Sequence, residues 1–181
     1  GLSTGGQDVR TPTSCNTDRI PNHVVQHEQK NVTFENTSWN LDWCYLRHPS
    51  TENYKLETNR VILRGTEVTI GAPASPTLIG IRQTDFDATI ACEVQLSGEQ
   101  GEAGITLYMD ENHHYDLAVH KDRDGSVTAI ERLNIGDVKS IEKSVELDAE
   151  KPVKLLVRSG HERYYFFIVQ DDREIALGTA Q

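Results

Sequence analysis

Three histidines fall within eight residues of one another, His113, His114 and His120. Imidazole is both the commonest metal ligand and the commonest proton carrier near neutral pH. His114 and His120 project to the same side of an extended segment, yet six residues of strand set them roughly 20 Å apart, too far to share one ion. Oxygen-rich turns are the second candidate chemistry. Asp110-Glu111, Asp122-Arg123-Asp124-Gly125 and Asp171-Asp172 carry the carboxylates that calcium prefers. The middle one opens like a calcium loop but lacks the bidentate glutamate downstream, and the same residues form ordinary turns. A structural calcium is therefore the only ion these residues suggest. No metal ligand set is assigned and no cofactor is expected.

Hydrolysis of a glycoside needs two carboxyl groups facing each other across a sugar. With 28 Asp and Glu in the chain, pairs are unavoidable, so pairing alone points nowhere. Asp116, between Tyr115 and Leu117, and Glu93, on its own alternating segment, have the most apolar surroundings. The chain has no GxSxG, no Cys-His arrangement and no glycine-rich phosphate loop. No catalytic residue is assigned. Aromatic rings offer another route, because the apolar face of a sugar stacks on Trp or Tyr while polar neighbours take its hydroxyls. Trp39, Trp43, Tyr45, Tyr108, Tyr164 and Tyr165 are the candidates, Trp39, Trp43 and Tyr108 foremost, against the alternative that they are core or edge residues of a sheet.

The charge balance excludes several partners. Eighteen Lys and Arg against 28 Asp and Glu leave a formal net charge of −10, with no basic cluster, so nucleic acid and anionic membranes are not expected partners. The longest apolar runs are far too short to span a bilayer. Three cysteines, Cys15, Cys44 and Cys92, are an odd number without CxxC spacing, which fits neither a disulfide framework nor a zinc site. Cys92 reads as a small buried hydrophobe. Asn31-Val32-Thr33 and Asn36-Thr37-Ser38 are glycosylation sequons only in a secreted eukaryotic setting. Localisation stays open between cytoplasmic and secreted.

Residues 1–28 are rich in Gly, Ser, Thr, Asn and Pro and lack apolar periodicity, which predicts a leader or linker ahead of one domain over 29–181. From there, short β-branched and aromatic stretches alternate with turn signals. Strands are expected at 54–57, 61–63, 77–81, 86–96, 104–109, 115–119, 127–133, 137–147, 153–157 and 164–169, with another starting at 175. In the fourth, Ile90, Cys92, Val94 and Leu96 share a face; in the fifth, Ile105, Leu107 and Met109 do. A slip at Ile141 interrupts the alternation of the eighth. Strands with one apolar face each need a second sheet over them. The expected fold class is therefore all-β, a two-sheet antiparallel β-sandwich.

One stretch is more specific. The segment from Ser75-Pro76-Thr77 through Arg82-Gln83 to Glu102-Ala103-Gly104, Tyr108, Asp110 and His114-Tyr115 resembles the C-terminal domain of family-43 glycoside hydrolases, the β-xylosidase and α-L-arabinofuranosidase group. Trp43, Leu46, Arg47 and Pro49, then Val61-Ile62-Leu63-Arg64, match preceding motifs in the same order. The resemblance implies a concanavalin A-like (jelly-roll) sandwich that packs on a catalytic propeller absent from this chain. It also implies that a sandwich loop shapes the propeller's pocket for a xylo-oligosaccharide or arabinoxylan. By position that loop follows Arg82-Gln83. Phe86 is its expected pocket residue, with Arg82, Gln83, Thr84 and Asp85 beside it, unless Phe86 is the first core residue of its strand. The loop departs from the family where Ile81 and Asp85 stand. Family members are also expected to continue past Gln181, so a shortened sandwich completed by another copy, and thus an oligomer, stays open. An independent carbohydrate-binding module is the alternative function.

Overall fold

Alternation of apolar and polar side chains governs each long strand of the chain. The computed structural model describes residues 42–181; the expected leader over 1–28 and the candidate Trp39 lie outside the described residues. The strands are β1 (Cys44–Tyr45), β2 (Tyr54–Glu57), β3 (Arg60–Leu63), β4 (Ile79–Gly80), β5 (Ala88–Val94), β6 (Gly101–Asp110), β7 (His113–Lys121), β8 (Val127–Ile135), β9 (Val138–Leu147), β10 (Val153–Ser159), β11 (Tyr164–Gln170) and β12 (Arg173–Ala180). They form two antiparallel four-stranded sheets, ordered β12-β11-β10-β5 and β6-β7-β8-β9, plus the small pairs β1-β4 and β2-β3.

The two large sheets face each other, as the one-sided strands require. Leu117, Val119 and Ala129 from one sheet meet Val153, Leu155, Val157, Phe166, Ile168 and Leu177 from the other. Burying such side chains contributes on the order of 25 cal/mol per Å² of apolar surface removed from water. Ile90, Cys92 and Val94 of β5 line the same interior, and burial pushes the Cys92 thiol up to about 11. The hairpin turns carry the residues that their backbone demands. Gly125 has φ 89°, while Asp171 and Asp172 have φ 55° and 57°, the left-handed pair of a tight two-residue turn.

Two expectations need correction. Met109 does not share a face with Ile105 and Leu107: a bulge between Tyr108 and Asp110 breaks the period, and Met109 is 80% exposed. The fourth expected strand starts at Ala88 rather than 86, because Phe86 and Asp87 belong to the loop before it. The slip at Ile141 is a real bulge, with Arg132 opposite Ile141 and Glu131 opposite Lys143.

The ends of the sandwich differ. One end gathers residues 81–87, the turns β6-β7, β8-β9 and β10-β11, and the end of β12, where the Tyr115 hydroxyl donates to Gln181 O. Ile81, Phe86, Met109, Ile135 and Val138 are exposed there. At the other end the β7-β8, β9-β10 and β11-β12 connections present Asp122, Asp124, Asp148, Glu150, Lys151 and Asp171. Ion pairing of Lys151 with Asp148 and Asp171 ties two of these connections together. None of the exposed large hydrophobic residues among those described falls in these polar connections.

Candidate functional site

Residues 81–87 join β4 to β5 and are held from the sheet side. The Ser159 hydroxyl, at the end of β10, donates to Phe86 O at 2.7 Å and accepts from Ala88 N at 3.0 Å. Gln83 braces the loop from within. Its Nε2 donates to Asp85 O at 2.7 Å, and its Oε1 accepts from the Tyr164 hydroxyl at 3.1 Å. The Thr84 hydroxyl donates to Asp85 Oδ2 at 3.0 Å. With both ends tied, the loop turns the Phe86 ring outward, 68% exposed. That ring lies on the imidazole of His161, from the β10-β11 turn, with centroids 5.5 Å apart and planes 28° apart. His161 Nε2 is 3.7 Å from Asp87 Oδ2.

The five residues expected at the rim thus share one loop but not one orientation. Phe86 is displayed and is not a core residue. Arg82, Thr84 and Asp85 are exposed, while the Gln83 amide faces the sheet. Ser159, His161 and Tyr164 complete the arrangement; Tyr164 braces Gln83 rather than offering a stacking face, and nothing in the sequence marks Ser159 or His161. Gln83 and Ser159 are 76 residues apart, so no local spacing could have paired them.

The other sequence candidates are scattered. Tyr108 is half-buried and stacks on His114, with centroids 6.2 Å apart. Trp43 is half-buried as well. His114 is buried, its Nδ1 2.9 Å from Asp116 Oδ1 and its Nε2 2.8 Å from Asn134 Nδ2. His113 pairs with Asp110, and His120 with Asp122 and Glu102, while Arg132 joins Glu102 to the Asp116 that pairs with His114. Asp116 also accepts from Thr106 and Arg132, while Glu93 faces solvent. The Asp124 carboxylate accepts from Ser126 N at 2.9 Å, as a turn former does. Among the described residues no three His, Cys, Asp or Glu converge to hold a metal ion.

Glu131 escaped the sequence reading. It is fully buried on the core face of β8, opposite Leu117, and neither of its oxygens has a hydrogen-bond partner. Burial, reinforced by the charge of Glu142, pushes its carboxyl above the usual glutamate range. Its oxygens abut Gly178 of the facing sheet, where even a methyl group would overlap them.

Comparison with known proteins places this geometry. The family model of the β-xylosidase C-terminal concanavalin A-like domain matches residues 31–179. A non-reducing-end α-L-arabinofuranosidase of Bacteroides ovatus is 29% identical over 165 residues, 89% of this chain and 31% of that protein. The solved Bacteroides ovatus xyloglucan PUL GH43B superposes with a TM-score of 0.75 at 26% identity, covering 90% of this chain and 33% of that one. A xylan β-1,4-xylosidase from Bacillus halodurans shares the fold, with a TM-score of 0.74 at 21% identity over 90% of this chain and 33% of its own. The chain spans about a third of the length of these relatives.

Proposed function

Because the chain belongs to the β-xylosidase C-terminal concanavalin A-like domain family, the accessory domain of family-43 glycosidases, we propose that it packs by its apolar end on a catalytic propeller and shapes the rim of that propeller's pocket. The substrate class is the short oligosaccharide derived from xylan, carrying xylosyl or arabinofuranosyl units. The display of Phe86 carries this reading. A ring this exposed, on a loop fixed at both ends from its own sheet, is positioned to meet something outside the domain. A preformed apolar wall helps to exclude water and hold a sugar without ordering cost at the moment of binding.

In this reading the residues expected at the rim divide the work. Phe86 supplies the apolar wall, Arg82, Thr84 and Asp85 supply polar edges, and Gln83 keeps the loop in shape. The propeller supplies the catalytic carboxylates. The test is Phe86→Ala in the full-length enzyme that carries this domain. The expected result is a fall in kcat/KM on short xylosides or arabinosides on the order of tenfold to a hundredfold, with the sandwich still folded by circular dichroism. An unchanged rate would remove Phe86 from the pocket.

A further inference from the structure

The β10-β11 turn that carries His161 does more than support Phe86. Residues Gly160, His161, Glu162, Arg163 and Tyr165 line an open cleft of about 480 Å³, within the roughly 300–1,000 Å³ range of small-ligand sites. Its chemistry is mixed in a particular way. The Tyr165 ring is 42% exposed and offers a flat apolar face. The Glu162 carboxylate and the Arg163 guanidinium oppose each other in charge, so the cleft favours neither anions nor cations. The His161 side chain is exposed and turns Nε2 toward Asp87. A ring face flanked by hydroxyl-binding donors and acceptors of balanced charge suits a neutral polyhydroxylated ring.

We propose that this cleft is a second sugar-binding element, with Tyr165 as its platform and His161, Glu162 and Arg163 as partners for hydroxyl groups. It takes a glycosyl unit of the same oligosaccharide class, and in that respect rests on the rim reading above. His161 belongs to both elements: its imidazole stacks on Phe86, and the residue also lines the cleft. The rim loop and the turn are also joined through Ser159, which bonds Phe86 O from the residue next to Gly160. A saccharide leaving the wall formed by Phe86 therefore meets the cleft without crossing an unfixed segment.

The test uses the 181-residue chain labelled with ¹⁵N and titrated with xylobiose and xylotetraose. Amide shifts are expected at residues 160–165, with Kd in the millimolar range. Tyr165→Ala should weaken binding about tenfold, a change of ~1.4 kcal/mol, and Tyr108→Ala should leave it unaltered. Dispersed spectra of both variants establish that they remain folded. Shifts at Phe86 without shifts at 160–165, or no shifts up to saturating sugar, would overturn the proposal. The rim reading would then still stand or fall on the kinetics of Phe86→Ala. A further arm separates sugar binding from domain packing. If Tyr165→Ala in the full-length enzyme lowers its thermal stability and leaves KM unchanged, the cleft is a contact with the catalytic domain and the proposal fails.

Discussion

Glu131 is the residue most at odds with its surroundings. A carboxylate without partners in a protein interior is costly to ionise, so burial holds its carboxyl above the usual glutamate range. The folded chain then holds a proton that the unfolded chain has already lost. Stability is fully present below the unfolded pKa of about 4.3 and declines as pH rises toward the elevated folded value. Glu131→Gln removes this titration. The variant should gain stability relative to the native chain as pH rises from 4 to neutrality, read from urea unfolding at both pH values; a constant difference would refute a protonated Glu131. Its inward position was legible in part. Val127, Ala129, Glu131 and Leu133 alternate on one face of β8, but a glutamate in that series reads as solvent-facing until the opposite sheet is seen to supply a glycine.

At the level of the strand, the period of two located nearly every element, and local backbone exceptions account for the misses. The bulge at Met109 sends an apolar side chain into solvent, and no residue type in Tyr108-Met109-Asp110 announces it. The start of β5 was misplaced for a different reason: Phe86 is apolar and adjoins an apolar strand, but its carbonyl is claimed by Ser159, 73 residues away. Gly104 shows the reverse case, where a sequence motif does have a local cause. A side chain there would run into Leu117 O and the Ala118 backbone across the β6-β7 ladder. Gly104→Ala should therefore destabilise the chain by about 3 kcal/mol, measured as a drop in the urea midpoint. Backbone atoms of a paired strand cannot yield as a flexible side-chain tip can, so an unchanged midpoint would mean that the ladder is looser than it stands here.

Within the sandwich the exposed large apolar residues Ile81, Phe86, Met109, Ile135 and Val138 fall at one end and the Lys151 ion pairs at the other, because of where the turns fall. Contiguous exposed apolar surface on a folded domain usually marks a contact. Replacing Ile135 and Val138 with serine, both exposed on the β8-β9 turn, should shift the stability of the isolated sandwich by no more than about 0.5 kcal/mol per site. If this end packs on a catalytic domain, as proposed, the same pair in a chain carrying both domains should split a single calorimetric transition into two. A single, unshifted transition would place the catalytic domain elsewhere. The fold was legible in the sequence because alternation and turn residues act locally. The site was legible only as a loop, since its shape depends on Ser159, His161 and Tyr164, which reach it through sheet pairing.

The way the 81–87 segment is fastened has a consequence for how such a domain changes over time. Gln83 and Ser159 hold the segment by the Asp85 and Phe86 carbonyls, while the Thr84 hydroxyl donates to the Asp85 carboxylate. Side-chain variation at 84 and 85 leaves those two carbonyl bonds in place. If the rim role proposed above holds, the tip can vary in side-chain type while the supporting pair keeps the loop in shape. A library randomised at 84 and 85, with 83 and 159 kept, would be a compact starting point for redirecting a glycosidase toward a different side chain.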